Sequence, residues 1–355
     1  MMSNLKDSLL NQANTKPDVP MQFQRNTLMR EPNNWFFIIV CIVMSVIPFF
    51  VSGNSMLFML TNIFILGVFA MSYDLLLGYT GIISFGHAMF FGIGAYSMAL
   101  SLRFFDSAEA GVLVALAAAV ILCFIVSLLV GLLSLRLKDT FYALITLAVA
   151  TIFFITAEQW RSLTRGSDGF NFTAAIPNDL FGFINLMDRR VIYYIGLIFI
   201  ITMFLLLRRF IYSPVGRTLQ AIRENESRVA SLGFNVLHYK LISTVVAGVV
   251  AGLAGIMYAF SIRFVNPHSV LGVELTIDVL LMTVIGGVGT LVGAIVGAGI
   301  IEFSSHWLMG LRDVHPIFER WVILFGIIFI LIVIFFPAGI VGTIRQKWKA
   351  RRSSS

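Results

Sequence analysis

Six ionisable side chains interrupt otherwise apolar runs of this sequence: Asp74, His87, Glu274, Asp278, Glu302 and His306. A charge at the centre of a bilayer costs about 2.5 to 3.5 kcal/mol on insertion scales, so each such residue is expected to hold a partner or to line a polar route. Glu274 and Asp278 are four residues apart, and so are Glu302 and His306, a spacing that puts each pair on one face of a helix. The first pair suits a passage; in an ion-coupled transporter, Glu274, Asp278 or Asp74 would bind the coupling proton. The second is expected to bond within itself near the outer surface, and Asp74 to lie close to a cytoplasmic helix end. Ser84, His87 and Phe91 fall where glycines are dense, from Gly78 to Gly94, a composition that permits a kinked or interrupted helix along a path. A translocation pathway is therefore expected to draw on Ser84, His87, Phe91, Glu274 and Asp278.

Other chemistry lacks its residues. There is no Gly-x-x-x-x-Gly-Lys-[Ser/Thr], and Gly286-Gly287-Val288-Gly289-Thr290 lacks the lysine that would hold phosphates, so ATP is not expected to bind this chain. No Gly-x-Ser-x-Gly elbow, His-Glu-x-x-His helix or paired-cysteine metal site is present, which leaves neither a catalytic constellation nor a metal site. Cys41 and Cys123 both fall inside apolar runs and are expected to be packing residues.

The elements that must position these groups follow from composition. With 58% hydrophobic and 12% charged residues and a mean hydropathy of +0.91 over 355 residues, the chain reads as an integral membrane protein. About ten runs between residues 35 and 337 approach the roughly 20 apolar residues that a helical span requires. They are continuous and do not alternate, which excludes barrel strands. The expected fold is all-α and polytopic, a single transmembrane domain over 35–340 with polar tails at 1–34 and 341–355. The N-terminal tail is too poor in hydrophobes for a signal peptide.

The net charge of +7 is spread among the connections, which argues against a nucleic-acid surface. With both termini in the cytoplasm, about two thirds of the 25 lysines and arginines fall on inner segments, as the positive-inside rule asks. The connection from Glu158 to Arg190, with turn clusters Arg165–Gly169 and Ile176–Asp179, is expected outside as either a structured cap or a plain solvated loop. Gly289, Gly293 and Gly297 recur every fourth residue, as do Gly248 and Gly252, a pattern that strips one helix face for close packing.

Between two of the apolar runs lies a polar island, residues 208–240, on the cytoplasmic side of this topology. Ser213 can cap a helix that starts at Pro214, and Gly233 suits the left-handed position that ends one. Asn225 is a second possible cap, so one bent helix and two short ones are both open. Such an insert offers charged residues and small apolar ones, Val229, Ala230 and Leu232, to a partner.

Three motifs in this order carry a resemblance: Gly81-Ile82-Ile83-Ser84-Phe85-Gly86-His87-Ala88-Met89-Phe90-Phe91-Gly92-Ile93-Gly94-Ala95-Tyr96, Ser213-Pro214-Val215-Gly216-Arg217 through Ala221–Glu226, and Gly286–Gly293. Over roughly residues 35 to 340 the chain resembles the LivM-type permease subunit of branched-chain amino-acid ABC importers. The resemblance leaves cargo open among branched-chain amino acids, urea and short amides; an ion-coupled secondary transporter is the competing class. It implies a heterodimer with a LivH-type permease, two cytoplasmic ATPase subunits that carry ATP and Mg, and an extracytoplasmic solute-binding protein, all at a bacterial inner membrane. It also makes the island the element that couples to the ATPase, through Arg217, Arg223, Glu224, Glu226, Arg228 and Gly233. Here Glu226 lies seven residues before Gly233, which departs from the family's Glu-Ala-Ala-x-x-x-Gly form.

Overall fold

The structure is a computed structural model that describes residues 34–50, 53–105, 107–135, 139–173, 179–180, 184–185, 188–310, 326, 330, 334–336 and 338–343. Both tails and most of the apolar run 321–337 lie outside the described residues. The first helix, α1 (Asn34–Phe50), belongs mainly to a separate unit ending at Ile47; within it the Ser45 hydroxyl donates to the carbonyl of Cys41 at 2.8 Å.

The second unit is built from α2 (Asn54–Asp74), extended by a π-helical turn (Leu75–Thr80), then α3 (Ala88–Phe104), α4 (Ala108–Ser134) and α5 (Asp139–Gln159). A short turn α6 (Arg161–Thr164) and two-residue strands β1 (Phe170–Asn171), β2 (Asp179–Leu180) and β3 (Ile184–Asn185) follow. Next come α7 (Arg189–Tyr212), α8 (Pro214–Glu224), α9 (Glu226–Ser231), α10 (Val236–Ile262), β4 (Phe264–Val265), α11 (Pro267–Leu271), α12 (Val273–Gly286) and α13 (Leu291–Gly310). Among the described residues seven segments are long and apolar enough to cross a membrane, and α3, at 17 residues, falls just short. The fold is all-α and multi-pass, as expected. Within the glycine-dense stretch from Gly78 to Gly94, residues 81–87 are not regular helix, which begins only at Ala88.

Helices α2 and α10 form the interior, each with two thirds of its apolar window buried, whereas α4 buries about a fifth of its own. Apolar side chains on all sides of α2 follow from this central place. The open face of α4, with Leu113, Ile121, Leu129 and Leu133, is a surface for lipid or another apolar partner. Glycine sets the closest crossings. A Cβ on Gly94 would overlap the carbonyl of Gly252, and one on Gly255 the carbonyl of Phe91, so α3 and α10 touch backbone to backbone. At Gly248 and Gly252 the space a side chain would need is taken by Ser127 and Cys123 of α4. Gly297 lies on the carbonyl of Met282, and Gly293 against Gly286 and Thr290.

Gly289 does not continue that helix face. It lies in the tight turn between α12 and α13 with φ +81, beside Gly287 at φ +123. The repeat of every fourth residue is thus a turn glycine followed by two helix glycines, because α13 begins only at Leu291.

The island folds as two helices. Ser213 caps α8 by accepting from the Gly216 N–H at 3.2 Å, Asn225 caps α9 by accepting from the Arg228 N–H at 2.9 Å, and Gly233 takes φ +86. Leu219, Ile222 and Val229 bury against Phe210, Val215, Val236 and Tyr239, a small core that fixes the pair. Val229 is therefore committed inward, whereas Ala230, Leu232 and Phe234 are exposed.

At the opposite end of the helices, β1 pairs antiparallel with β4, and Arg103 and Arg165 both lie over the Phe170 ring. The Glu158 carboxylate reaches His268 of α11 at 3.7 Å. The described part of the long connection is thus folded against the helix ends and not a plain loop; residues 174–178, 181–183 and 186–187 lie outside the described residues.

Candidate functional site: a broken helix and its island

Backbone N–H and C=O groups cannot be left open at membrane depth, so an irregular segment there needs outside partners. Residues 81–87 show where they come from. The ladder of α2 widens over Leu75–Thr80 and ends at Gly81, φ +81, after which the Ile82 N–H returns to the carbonyl of Leu76 at 2.9 Å. Thr146 of α5 accepts from the Phe85 N–H at 3.2 Å while its own hydroxyl hydrogen goes to Ala143. Thr276 of α12 accepts from the Ala88 N–H at 3.0 Å, and Ser84 Oγ from the Gly86 N–H at 3.3 Å. Three hydroxyls thus replace the missing turn of helix.

The expected pathway residues separate into two sets. Ser84, His87 and Phe91 come together in the interior, all buried. Ser72 donates to the Phe69 carbonyl at 2.6 Å and so accepts from His87 Nε2 at 2.8 Å, which makes the imidazole a donor there. Its ring stacks on Phe69 and meets Tyr73 and Phe90 edge-on, while Phe91 packs on Phe69 and Tyr258. In this conformation they pack rather than line an opening. Glu274 is exposed and Asp278 half-buried on α12, where Asp278 lies within electrostatic range of Glu274 and of Glu302 on α13. Glu302 accepts from Asn62 at 3.4 Å and His306 meets Ser55 at 3.3 Å, so this pair reaches across to α2, where a bond between the two had been expected.

The island residues also separate. Arg217, Arg223, Glu224, Glu226 and Arg228 are all exposed, but Glu226 also pairs with Lys240 of α10 at 2.8 Å. Lys240 is buried, so this ion pair ties α9 to the membrane helix behind it. Arg223, exposed along its stem, reaches the membrane helices at its tip: its guanidinium donates to the carbonyl of Gly78 in the π turn. Asp74, fully buried one turn before Gly78, accepts from the Gly289 N–H at 2.7 Å. The family resemblance had assigned Arg223 to the ATPase-coupling surface, and Asp74 had been read as lying close to a helix end or as binding a coupling proton. The one sequence cue was the four-residue spacing of Asp74 and Gly78, which puts both on one helix face.

A multi-pass helical subunit with a broken span, glycine-tight crossings and a compact charged island at one end is the architecture of a transport permease. The chain belongs to the family described as "Branched-chain amino acid transport system / permease component", which matches residues 55–333. Its relatives include the high-affinity branched-chain amino acid transport system permease protein LivM of Escherichia coli (strain K12), 27% identical over 344 residues, covering 90% of this chain and 77% of that one. LivM of Salmonella typhimurium is also 27% identical, covering 89% and 76%. The permease protein BraD of Pseudomonas aeruginosa is 24% identical, covering 77% and 90%. No solved structure matches the chain.

Proposed function

We propose that the chain is a LivM-type membrane subunit of an ATP-driven importer for branched-chain amino acids. The observation that carries this is the family match over 55–333, which spans both the broken helix and the island. The relatives named for branched-chain amino acids align over most of their own length, which favours that cargo over urea or short amides.

In this reading the subunit pairs with a LivH-type permease in the bacterial inner membrane, with both termini and the island in the cytoplasm. Two ATPase subunits bind ATP and Mg and dock on the island, where Leu232 and Phe234 supply exposed apolar area and Arg217, Glu224 and Arg228 the charge. A solute-binding protein delivers substrate at the folded part of the long connection and sets selectivity. A zwitterion then needs only weak contacts along helix ends and hydroxyls, in keeping with the few charged side chains near the broken helix.

The test is reconstitution of the chain with its partner permease, ATPases and binding protein in liposomes. ATP-dependent uptake of leucine, isoleucine or valine, insensitive to a protonophore, is the expected result. Uptake driven by an ion gradient without the ATPases, or uptake of urea in place of the amino acids, would overturn it.

A further inference from the structure

Three separate parts of the chain meet at one point below the broken helix. Arg223 comes from α8 of the island, Asp74 and Gly78 from the end of α2, and Gly289 from the turn between α12 and α13. The contacts run in series: Arg223 to the Gly78 carbonyl, and Asp74 Oδ1 to the Gly289 N–H. Arg223 is also the cation whose charge acts on Asp74. There is little slack between them. A Cβ on Gly78 would overlap Asp74 Oδ1 and the backbone of Gly289, one on Gly289 would lie 3.1 Å from Arg223 Nη1, and one on Gly81 would lie 3.1 Å from Arg223 Cγ.

We infer that Arg223 and Asp74 form a latch that transmits movement of the island to the broken helix and to the α12–α13 turn together, and so positions the gate of the transporter. The inference rests on the importer reading and deepens it by naming the positioning residues.

The physical basis has three parts. A guanidinium at the C-terminal end of a helix is held by the carbonyls that lack intrahelical partners and by the end charge of the helix. A buried carboxyl group needs hydrogen bonds and gains from a nearby cation; Asp74 Oδ1 takes the Gly289 N–H across this turn, with the Arg223 charge close by. The π turn, Gly81 and the glycines at 287 and 289 all have backbone geometry that can rearrange at small cost, so displacement concentrates there and not in the straight helices. A push on α8 therefore moves residues 78–87 and 286–290 in concert. Phe85 and Ala88 are held in turn by Thr146 of α5 and by Thr276 of α12, the helix that leads into the second of these segments.

The test uses the complete transporter in lipid nanodiscs and proteoliposomes, with Arg223→Ala, Arg223→Lys, Asp74→Asn and the double variant Arg223→Ala/Asp74→Asn. Uptake and ATP hydrolysis are measured on the same preparations, beside subunit stoichiometry. Loss of a charge-assisted contact is expected to lower substrate imported per ATP by about tenfold in Arg223→Ala and Asp74→Asn, while stimulated hydrolysis changes by less than about twofold. Arg223→Lys keeps the charge and is expected to recover part of the loss. The double variant should be no worse than the poorer single one, because the residues act as one unit. Unchanged coupling in Arg223→Ala, or additive losses in the double variant, would overturn the latch. A loss confined to assembly, with normal import per ATP in the complexes that form, would also overturn it. Absence of ATP-driven import by the unaltered chain would instead reject the importer reading, and the latch with it.

Discussion

Thr276→Val is the sharpest probe of the broken helix. Valine keeps the shape of threonine but cannot accept from the Ala88 N–H, which Thr276 Oγ1 holds at 3.0 Å in a fully buried setting. A buried donor left without a partner costs about 1 to 3 kcal/mol, roughly fivefold to 150-fold in the ratio of closed to locally open states. Thr276→Ser keeps the hydroxyl and removes one methyl, for about 0.8 kcal/mol of lost burial. The larger effect should thus come from the substitution that conserves volume, the reverse of what packing alone gives. Equilibrium unfolding in mixed micelles, with amide exchange followed at residues 85–90, reads both quantities. Equal stability and equal Ala88 protection in Thr276→Val and the unaltered protein would show that water or another group satisfies this amide, and the account of the irregular segment would fail.

Gly255→Val should prevent assembly, because its first carbon already overlaps the Phe91 carbonyl, whereas Gly299→Ala should be tolerated or add up to about 1 kcal/mol, its nearest neighbour being an Ile63 methyl at 3.7 Å; complex yield and thermal stability compare the two. Glu226→Lys sets two cations together at the buried end of Lys240 and should lower substrate-stimulated ATPase activity, and adding Lys240→Glu should restore much of it, since the partly exposed pair is worth about 0.5 to 1 kcal/mol. Replacing exposed Leu232 with Asp should weaken ATPase association in pull-down measurements while leaving the Leu219–Ile222–Val229 core intact. A cysteine in place of exposed Ser227 should react with an impermeant thiol reagent only once the membrane is opened from the cytoplasmic side.

What could be read from the sequence was local. Ser213, Asn225 and Gly233 signal helix ends through bonds that close within three or four residues, so the island was legible down to its second cap. The density of glycine from Gly78 to Gly94 likewise left room for a kinked or interrupted helix, and the break falls there. What stayed hidden depends on partners far along the chain. Arg223 finds Gly78 across 145 positions and Asp74 finds Gly289 across 215, and no periodicity encodes such meetings. Gly289 was misplaced because a glycine at every fourth position looks the same whether the first stands in a helix or in the turn before it. Val229 was misjudged for a related reason: an apolar residue on a charged surface helix suits a partner's groove, but α8 had already supplied one.

The hydroxyls that hold residues 81–87 also bear on how this protein can be made. Ser84 is close in sequence to the N–H it receives, but Thr146 lies 61 positions after Phe85, and Thr276 comes 188 positions after Ala88. An insertion machinery that releases helices in order would set a half-finished strand of backbone in oil long before α12 emerges. The break must therefore wait in a wet or protected place until the C-terminal helices arrive, and the first third of the chain cannot mature alone. A chain that ends before Thr276 has its early spans in place but leaves the Ala88 N–H without the acceptor it holds in the finished subunit.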